Sequence, residues 1–265
     1  MVIVRGGGDI ATGSIYRLFK CGYRVLVLEA ARPAAIRRKA AFCEAVYDGT
    51  SVVEGVRCRK AETWEECRKV WEEGEIPLMV DPQGEIIGRV EPEAVVDGIL
   101  AKRNVGTRRD MAPVTVGLGP GFCAGIDVDY VIETMRGHRL GCIIEDGYAL
   151  PNTGVPGIIG GYGAERVIHG PAQGRIRLCS QIGDMVEKGQ TLAMIGDVRV
   201  EASLTGVLRG IIRDGFDVTK GLKIADIDPR KEQKENCTTI SDKARCIAGS
   251  VLEVLVRHNV KRELS

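Results

Sequence analysis

The chain has 265 residues, 44% of them hydrophobic and 28% charged, with a formal net charge of +1. That length carries one large domain or two ordinary ones, and the balance is that of ordinary globular protein. Near-neutral charge and an aromatic content of 5% remove any bulk electrostatic or base-stacking case for nucleic acid, and any electrostatic case for an anionic membrane surface.

Met1-Val2-Ile3-Val4 is an apolar run that passes straight into glycines. No basic n-region or cleavage site precedes it, and no segment approaches the ~20 apolar residues of a membrane span. A cytoplasmic location with no membrane partner is the expectation. Beyond the glycines, Ile15, Leu18 and Phe19 share one face of a helix that Gly22 ends, and residues 24–28 read as a buried strand. Ile36, Ala40, Cys43 and Tyr47 recur at helical spacing, with Arg37, Arg38 and Lys39 mostly outside that stripe. A weak strand follows over 52–58, then an amphipathic helix over 62–73 whose Trp64, Cys67 and Trp71 share a face. Residues 76–80 form another apolar strand. Pro92 opens a predicted helix carrying Val95, Val96, Ile99 and Leu100. Two further strands are predicted over 114–116 and 140–144, with a helix near 127–136 between them. Six strands alternating with helices predict an α/β fold: a Rossmann-like, doubly wound, mostly parallel sheet over residues 1–146.

Residues 147–164 carry Gly147, Gly154, Gly157, Gly160, Gly161 and Gly163 with Pro151 and Pro156, and read as a linker or long functional loop. Past it, Gly174–Asp197 aligns on Gly206–Pro229 at a fixed offset of 32 residues, matching Gly174/Gly206, Arg177/Arg209, Gly183/Gly215, Val186/Val218, Lys188/Lys220, Gly189/Gly221, Ala193/Ala225 and Ile195/Ile227. Each copy reads as strand, turn, V-x-K-G turn, strand, and neither buries its apolar face alone. The repeat defines a small β module over 165–230. Residues 231–265 are a polar tail and a C-terminal helix, started by Ser241-Asp242, with Ile247, Val251, Leu255 and Val254 inward.

The chemistry concentrates in the first glycine loop. Gly6-Gly7-Gly8-Asp9-Ile10-Ala11 follows a strand and opens a helix, the context a dinucleotide fingerprint G-x-G-x-x-A requires. Gly6 allows the tight turn, Gly8 lets a phosphate approach the backbone, and Ala11 lets helix and strand pack. The amides at the helix start favour an anion. Glu29 ends the second strand where a ribose-binding acid is expected. The competing reading is a strand-to-helix turn with no ligand. Asp9 sets a carboxylate where a pyrophosphate would repel it; it caps the helix, or holds a metal ion or a ribose. Arg32 follows Glu29 and, with Arg37 and Arg38, offers a phosphate partner or a solvated basic face. Asp81, after the fourth strand, faces the loop across the crevice or makes an Asp-Pro turn. A second glycine loop, Gly117-Leu118-Gly119-Pro120-Gly121, precedes Cys123, placed by this pattern near a helix N-terminus where a thiol pKa falls. Cys123 is the catalytic candidate; a packed thiol is the alternative.

The other cysteines are Cys21, Cys43, Cys58, Cys67, Cys142, Cys179, Cys237 and Cys246; no two of the nine form C-x-x-C, and His138, His169 and His258 are scattered. No metal site is predicted, and reduced thiols are expected. No P-loop, H-E-x-x-H helix, G-x-S-x-G elbow or Ser/His/Asp set is present, so no general base is named.

Two resemblances add to this. Residues 182–192, with Gly183-Asp184-Met185-Val186-Glu187-Lys188-Gly189-Gln190, resemble the corresponding turn of biotinyl and lipoyl domains. That implies a barrel-sandwich module, while the hairpin over 196–203 lacks the lysine that biotin or lipoate would modify. End to end, the chain resembles the YqeB family, on Val4-Arg5-Gly6-Gly7-Gly8-Asp9-Ile10-Ala11-Thr12-Gly13, Ala45-Val46-Tyr47-Asp48-Gly49, Val116-Gly117-Leu118-Gly119-Pro120-Gly121-Phe122, Lys223-Ile224-Ala225-Asp226-Ile227-Asp228-Pro229-Arg230 and Ile240-Ser241-Asp242-Lys243-Ala244. The resemblance implies an accessory protein of the selenium-dependent molybdenum hydroxylase system, whose partner is the hydroxylase or its cofactor-insertion machinery, with a homo-oligomer as an option. The cofactor expected at the first loop is then a nucleotide or dinucleotide, NAD(P) or a molybdopterin dinucleotide. A stand-alone NAD(P)-dependent oxidoreductase and a non-catalytic assembly module are the alternatives.

Overall fold

The computed structural model describes residues 1–154 and 157–262; Pro156 of the glycine-rich loop lies outside them. The chain forms two compact units. One comprises Met1–Pro33, Ala41–Thr153 and the chain from Ile240 onward; the other comprises Ala34–Ala40 and Gly154–Thr239.

The first unit contains β1 (Val2–Arg5), α1 (Asp9–Lys20), β2 (Val25–Glu29), α2 (Ala45–Asp48), β3 (Thr50–Val53), β4 (Val56–Lys60), α3 (Trp64–Glu72), β5 (Ile76–Val80), α4 (Ile87–Val90), β6 (Ala94–Asp97), β7 (Val114–Leu118), β8 (Cys123–Ala124), β9 (Tyr130–Ile132), β10 (Ile143–Ile144) and β11 (Gly147–Tyr148). Among the described residues, nine of these strands form one sheet in the order β10-β9-β7-β6-β1-β2-β5-β4-β3, and β11 pairs with β8. β1 lies between β2 and β6, parallel to both, so chain order reverses at the β1/β6 seam. Its residues are buried on both faces. Val2 and Val4 join Val25, Val27, Ile15 and Leu18 in one core, while Ile3 joins Leu26, Leu28 and Val95 in another. That is the period-2 alternation of a strand covered on both sides.

This corrects the Rossmann-like, doubly wound expectation. The sheet is mixed, with antiparallel pairs at both ends, β3 with β4 and β10 with β9. The helix expected over Val95–Leu100 is instead strand β6, and the one expected near 127–136 is strand β9. A short fully buried apolar run carries no periodicity that separates helix from strand. The helix expected through Ile36–Tyr47 is replaced by 3-10 turns at Arg38–Ala40 and Phe42–Glu44 and the single turn α2. Among the described residues, the regular crossover helices of a doubly wound fold are therefore missing after β2, β6 and β7.

The second unit contains β12 (Val167–His169), β13 (Gly174–Leu178), β14 (Met185–Val186), β15 (Thr191–Ile195), β16 (Val198–Glu201), β17 (Gly206–Ile211), β18 (Asp217–Val218) and β19 (Lys223–Asp228). They form two four-stranded antiparallel sheets, β12-β19-β17-β14 and β16-β15-β13-β18. The biotinyl/lipoyl-like barrel-sandwich expectation is corrected to this arrangement, with a strand from before the repeat, β12, at one sheet edge. The two copies exchange strands: β14 of the first pairs with β17 of the second, and β18 of the second pairs with β13 of the first. Segment 34–40 is also integral. Arg37 donates to the carbonyls of Asn236 (3.1 Å) and Thr239 (2.9 Å), Arg38 to Ile211 (2.8 Å) and Lys39 to Ile182 (3.0 Å).

The last element, α5 (Asp242–Arg257), belongs to the first unit. The Ser241 hydroxyl caps it, accepting from the Ala244 amide at 3.2 Å, and Ile247, Val251, Val254 and Leu255 are buried. It packs on α1 so closely that a Cβ at Gly13 would lie 2.7 Å from the Ala244 carbonyl oxygen. Among the described residues, no helix is long and apolar enough to cross a membrane.

Candidate functional site

Because β1, β2, β5, β6, β7 and β9 run parallel, their carboxyl ends share one edge of the sheet. In open α/β sheets, the crevice beside a reversal in chain order is where ligands bind. Here the reversal brings Gly6 to the end of β1 and Gly98-Ile99 to the end of β6.

Gly6 has φ +87, and its amide donates to the Leu28 carbonyl at 2.7 Å. A Cβ on Gly6 would lie 3.0 Å from Ile99 Cα, and one on Gly7 would lie 3.0 Å from the Cys43 amide nitrogen. The Gly7 amide donates to Glu29 Oε2 at 2.7 Å, and its carbonyl accepts from the Thr12 hydroxyl and the Cys43 amide. These two glycines are thus enclosed by the chain itself. Gly8 differs: a Cβ there would meet nothing within 4 Å. It is the N-cap of α1 without a side-chain cap, and the first helical bond runs from the Thr12 amide to its carbonyl. Among the described residues, the amides of Ile10 and Ala11 have no protein acceptor, as the geometry of a first turn requires. Asp9 is the half-buried first residue of α1 and places its carboxylate at the positive end of the helix. Ala11 sits where a Cβ on Gly98 would approach its own Cβ to 2.7 Å, fixing the helix against β6.

The acids were legible as residues but not in their roles. Glu29 accepts the Gly7 amide and, through its other oxygen, the Ala30 amide at 2.7 Å. Burial raises its pKa against these two hydrogen bonds. Asp81 accepts from the amides of Gly84, Glu85 and Ile86, at 2.9, 3.0 and 3.0 Å, so it organises the turn after β5. Asp97 and Glu133, neither expected from sequence, do the same after β6 and β9. Asp97 takes the Ile99 amide at 3.0 Å, and Glu133 takes those of Met135 (2.7 Å) and Leu150 (2.8 Å). The signal was present: the runs Val25-Leu26-Val27-Leu28-Glu29, Leu78-Met79-Val80-Asp81, Val95-Val96-Asp97 and Val131-Ile132-Glu133 all end an apolar strand on an acid.

Asp97 anchors a second unexpected group. Arg5, 1% exposed, pairs with it across the β1/β6 seam with Nη1 3.8 Å from the carboxylate. Thr107 bridges the two, accepting from Arg5 and donating to Asp97, and Arg5 Nη2 donates to the Pro82 carbonyl at 2.8 Å. Burial raises the Asp97 pKa, opposed by Thr107, the Ile99 amide and Arg5.

The remaining candidates separate from this edge or are consumed by packing. Gly117, Gly119 and Gly121 accommodate Phe122, Thr134 and the Arg103 backbone, which a Cβ would approach to 2.5, 2.5 and 2.6 Å. Cys123 lies on strand β8, not at a helix N-terminus, which removes the dipole argument for a thiolate. It is 6% exposed, and its amide donates to Asp127 at 2.8 Å. Its thiol donates to the Ala124 carbonyl at 3.7 Å, and its proximity raises the Tyr148 pKa. Arg32 is exposed in the turn after Glu29. Arg37 and Arg38 donate to backbone carbonyls of the second unit rather than forming an open solvated face. Chemically, the edge offers two amides without a protein acceptor beside a carboxylate held by backbone amides, and among the described residues no nucleophile–base pair lies there.

No family model matches the chain. Among solved structures, it is similar at a TM-score of 0.30 and 14% identity to an aspartoacylase family protein of Mesorhizobium loti, covering 86% of this chain and 85% of that one. A succinylglutamate desuccinylase/aspartoacylase of Rhodobacter sphaeroides gives 0.28 and 14%, covering 85% and 84%. Likenesses of that size carry no argument about activity. Among curated proteins, the chain is 50% identical over 256 residues, 97% of its length, to the "Uncharacterized protein YqeB" of Escherichia coli strain K12, and spans 47% of that protein, about half its length. Half identity across nearly the whole chain supports a YqeB-like family for this protein, over the part of YqeB that it matches.

Proposed function

We propose that this chain is an accessory protein in the maturation of a selenium-dependent molybdenum hydroxylase. In this reading it holds the phosphate of a nucleotide or dinucleotide-type cofactor at the start of α1 and hands it to a client enzyme. The observation that carries the binding step is the contrast within the loop. Gly6 and Gly7 are closed in by backbone, while Gly8 opens onto free space beside the Ile10 and Ala11 amides. Those amides and the positive end of the helix suit a phosphate. Glu29, held by the amides of Gly7 and Ala30, keeps lone pairs for a ribose hydroxyl. The molybdenum and selenium assignment comes from the family resemblance alone.

The test is thermal stability with NAD, NADP, CTP and molybdopterin cytosine dinucleotide. A ligand at 100 times its Kd adds about 2.7 kcal/mol. Gly8→Val, which fills the opening, is expected to abolish that gain while leaving the unliganded melt close to wild type. A response confined to NAD or NADP with hydride transfer would replace this reading with an oxidoreductase. No response to any of the four would leave an assembly module.

A further inference from the structure

Beside the close approach of α1 and α5 at Gly13, residues of the first unit line a cleft of about 250 Å³. Gly13, Tyr16, Arg17 and Lys20 contribute from α1 at spacings of three, one and three residues, the stripe that one helix face presents. Ile240, Arg245 and Leu252 close the other side. The lining is therefore partly apolar and includes three cationic side chains.

The charges are not balanced locally. Arg245 is paired with Glu54, whose carboxylate also takes the Ile240 amide at 2.8 Å. Among the described residues, Arg17 and Lys20 make no ion pair. The Lys20 ammonium instead stands 6.0 Å from the centroid of the Tyr16 ring. Both cations lie in the last turn of α1, where they complement the helix dipole, a role worth a few tenths of a kcal/mol to about 1. That role needs no cavity and no aromatic wall, and both are present.

The geometry points to a second small-molecule site here, distinct from the glycine loop: a cleft for a phosphate monoester with a flat or apolar body, the phosphate between Arg17, Lys20 and Arg245 and the body against Tyr16 and Leu252. Two cations without an ion pair, Arg17 and Lys20, and the Glu54-paired Arg245 on the same lining suit a phosphate, and the volume suits a ligand of single-ring size.

Cys21, half-buried in the cleft wall, reports on occupancy. The full chain in HEPES buffer is titrated with phenyl phosphate and pulsed with iodoacetamide, and labelling of each cysteine is read by peptide mass spectrometry. At ten times the Kd of phenyl phosphate, Cys21 labelling is expected to slow about tenfold, in proportion to the empty fraction. Exposed Cys142 and Cys179 should keep their rates. In the double variant Arg17→Gln, Lys20→Gln, half-protection should require at least about tenfold more phenyl phosphate. An unchanged Cys21 rate in the wild-type chain overturns the site. So does protection that persists undiminished in the double variant, or equal slowing at Cys142 and Cys179.

Discussion

Three adjacent glycines meet three different surroundings, and a substitution at each should report a different thing. Gly6 stands at φ +87 with the Ile99 backbone 3.0 Å from a Cβ, so Gly6→Ala combines left-handed strain with a backbone clash. It should cost about 1–3 kcal/mol of unfolding free energy by denaturant titration. Gly8 has φ −64 and an open Cβ direction, so Gly8→Ala should stay within about 0.5 kcal/mol of wild type. Equal losses at the two positions would mean that the loop is not seated as described. The glycine spacing was readable in the sequence because a strand-to-helix turn imposes it. Which glycine is left open and which is enclosed by the protein was not, since that depends on Ile99 and Cys43, distant in the chain. Cys123 shows the same limit. Its position after a glycine loop suggested a helix start, yet the chain there pairs with β11 as a strand. Its labelling by iodoacetamide should therefore be slower than that of exposed Cys142, Cys179 and Cys246.

At the scale of elements, α5 was legible from its cap and its apolar stripe, whereas its anchor was not. Glu54, at φ 47 in the turn between β3 and β4, accepts from the Ile240 amide just ahead of α5 and from Arg245 within it. Burial works to raise the Glu54 pKa, but the Arg245 and Ile240 hydrogen bonds outweigh it and hold the group below its ordinary value of 4.5. A carboxyl with a lowered folded-state pKa adds stability above its unfolded pKa and loses it as pH falls through the folded one. Glu54→Gln should thus lower stability by about 1 kcal/mol at neutral pH, a figure kept small because Arg245 is 44% exposed. The deficit should shrink as the pH is taken below 4.5. A deficit that grew in acid would refute the anchoring role. β6 and β9 differ from the helices their sequence suggests for a related reason. Each is a short apolar run whose burial on a sheet, rather than any periodicity, decides its form.

At the scale of the molecule, the repeat was legible because its strands recur in order, and its closure was not, because closure uses residues from elsewhere in the chain. Ile36 and Arg37, far upstream, complete the second unit. A Cβ at Gly210 would lie 2.8 Å from the Ile36 carbonyl oxygen and 3.3 Å from Arg37 Cγ, and Arg37 ties the Asn236 and Thr239 carbonyls. Three consecutive cations in a sequence resemble a solvated face; here they serve the carbonyls that strand ends and turns leave open. Arg37 is 6% exposed, so Arg37→Ala removes buried donors and should cost about 2–4 kcal/mol. Gly210→Ala pushes the same segment out and should cost about 1–3 kcal/mol. Because both release one strap, their effects should not add. Once either has displaced residues 34–40, the other has little left to disrupt, and a double-mutant cycle by denaturant unfolding should show a coupling of about 1 kcal/mol or more. Simple additivity would mean that the strap is decorative and that the two sheets close without it.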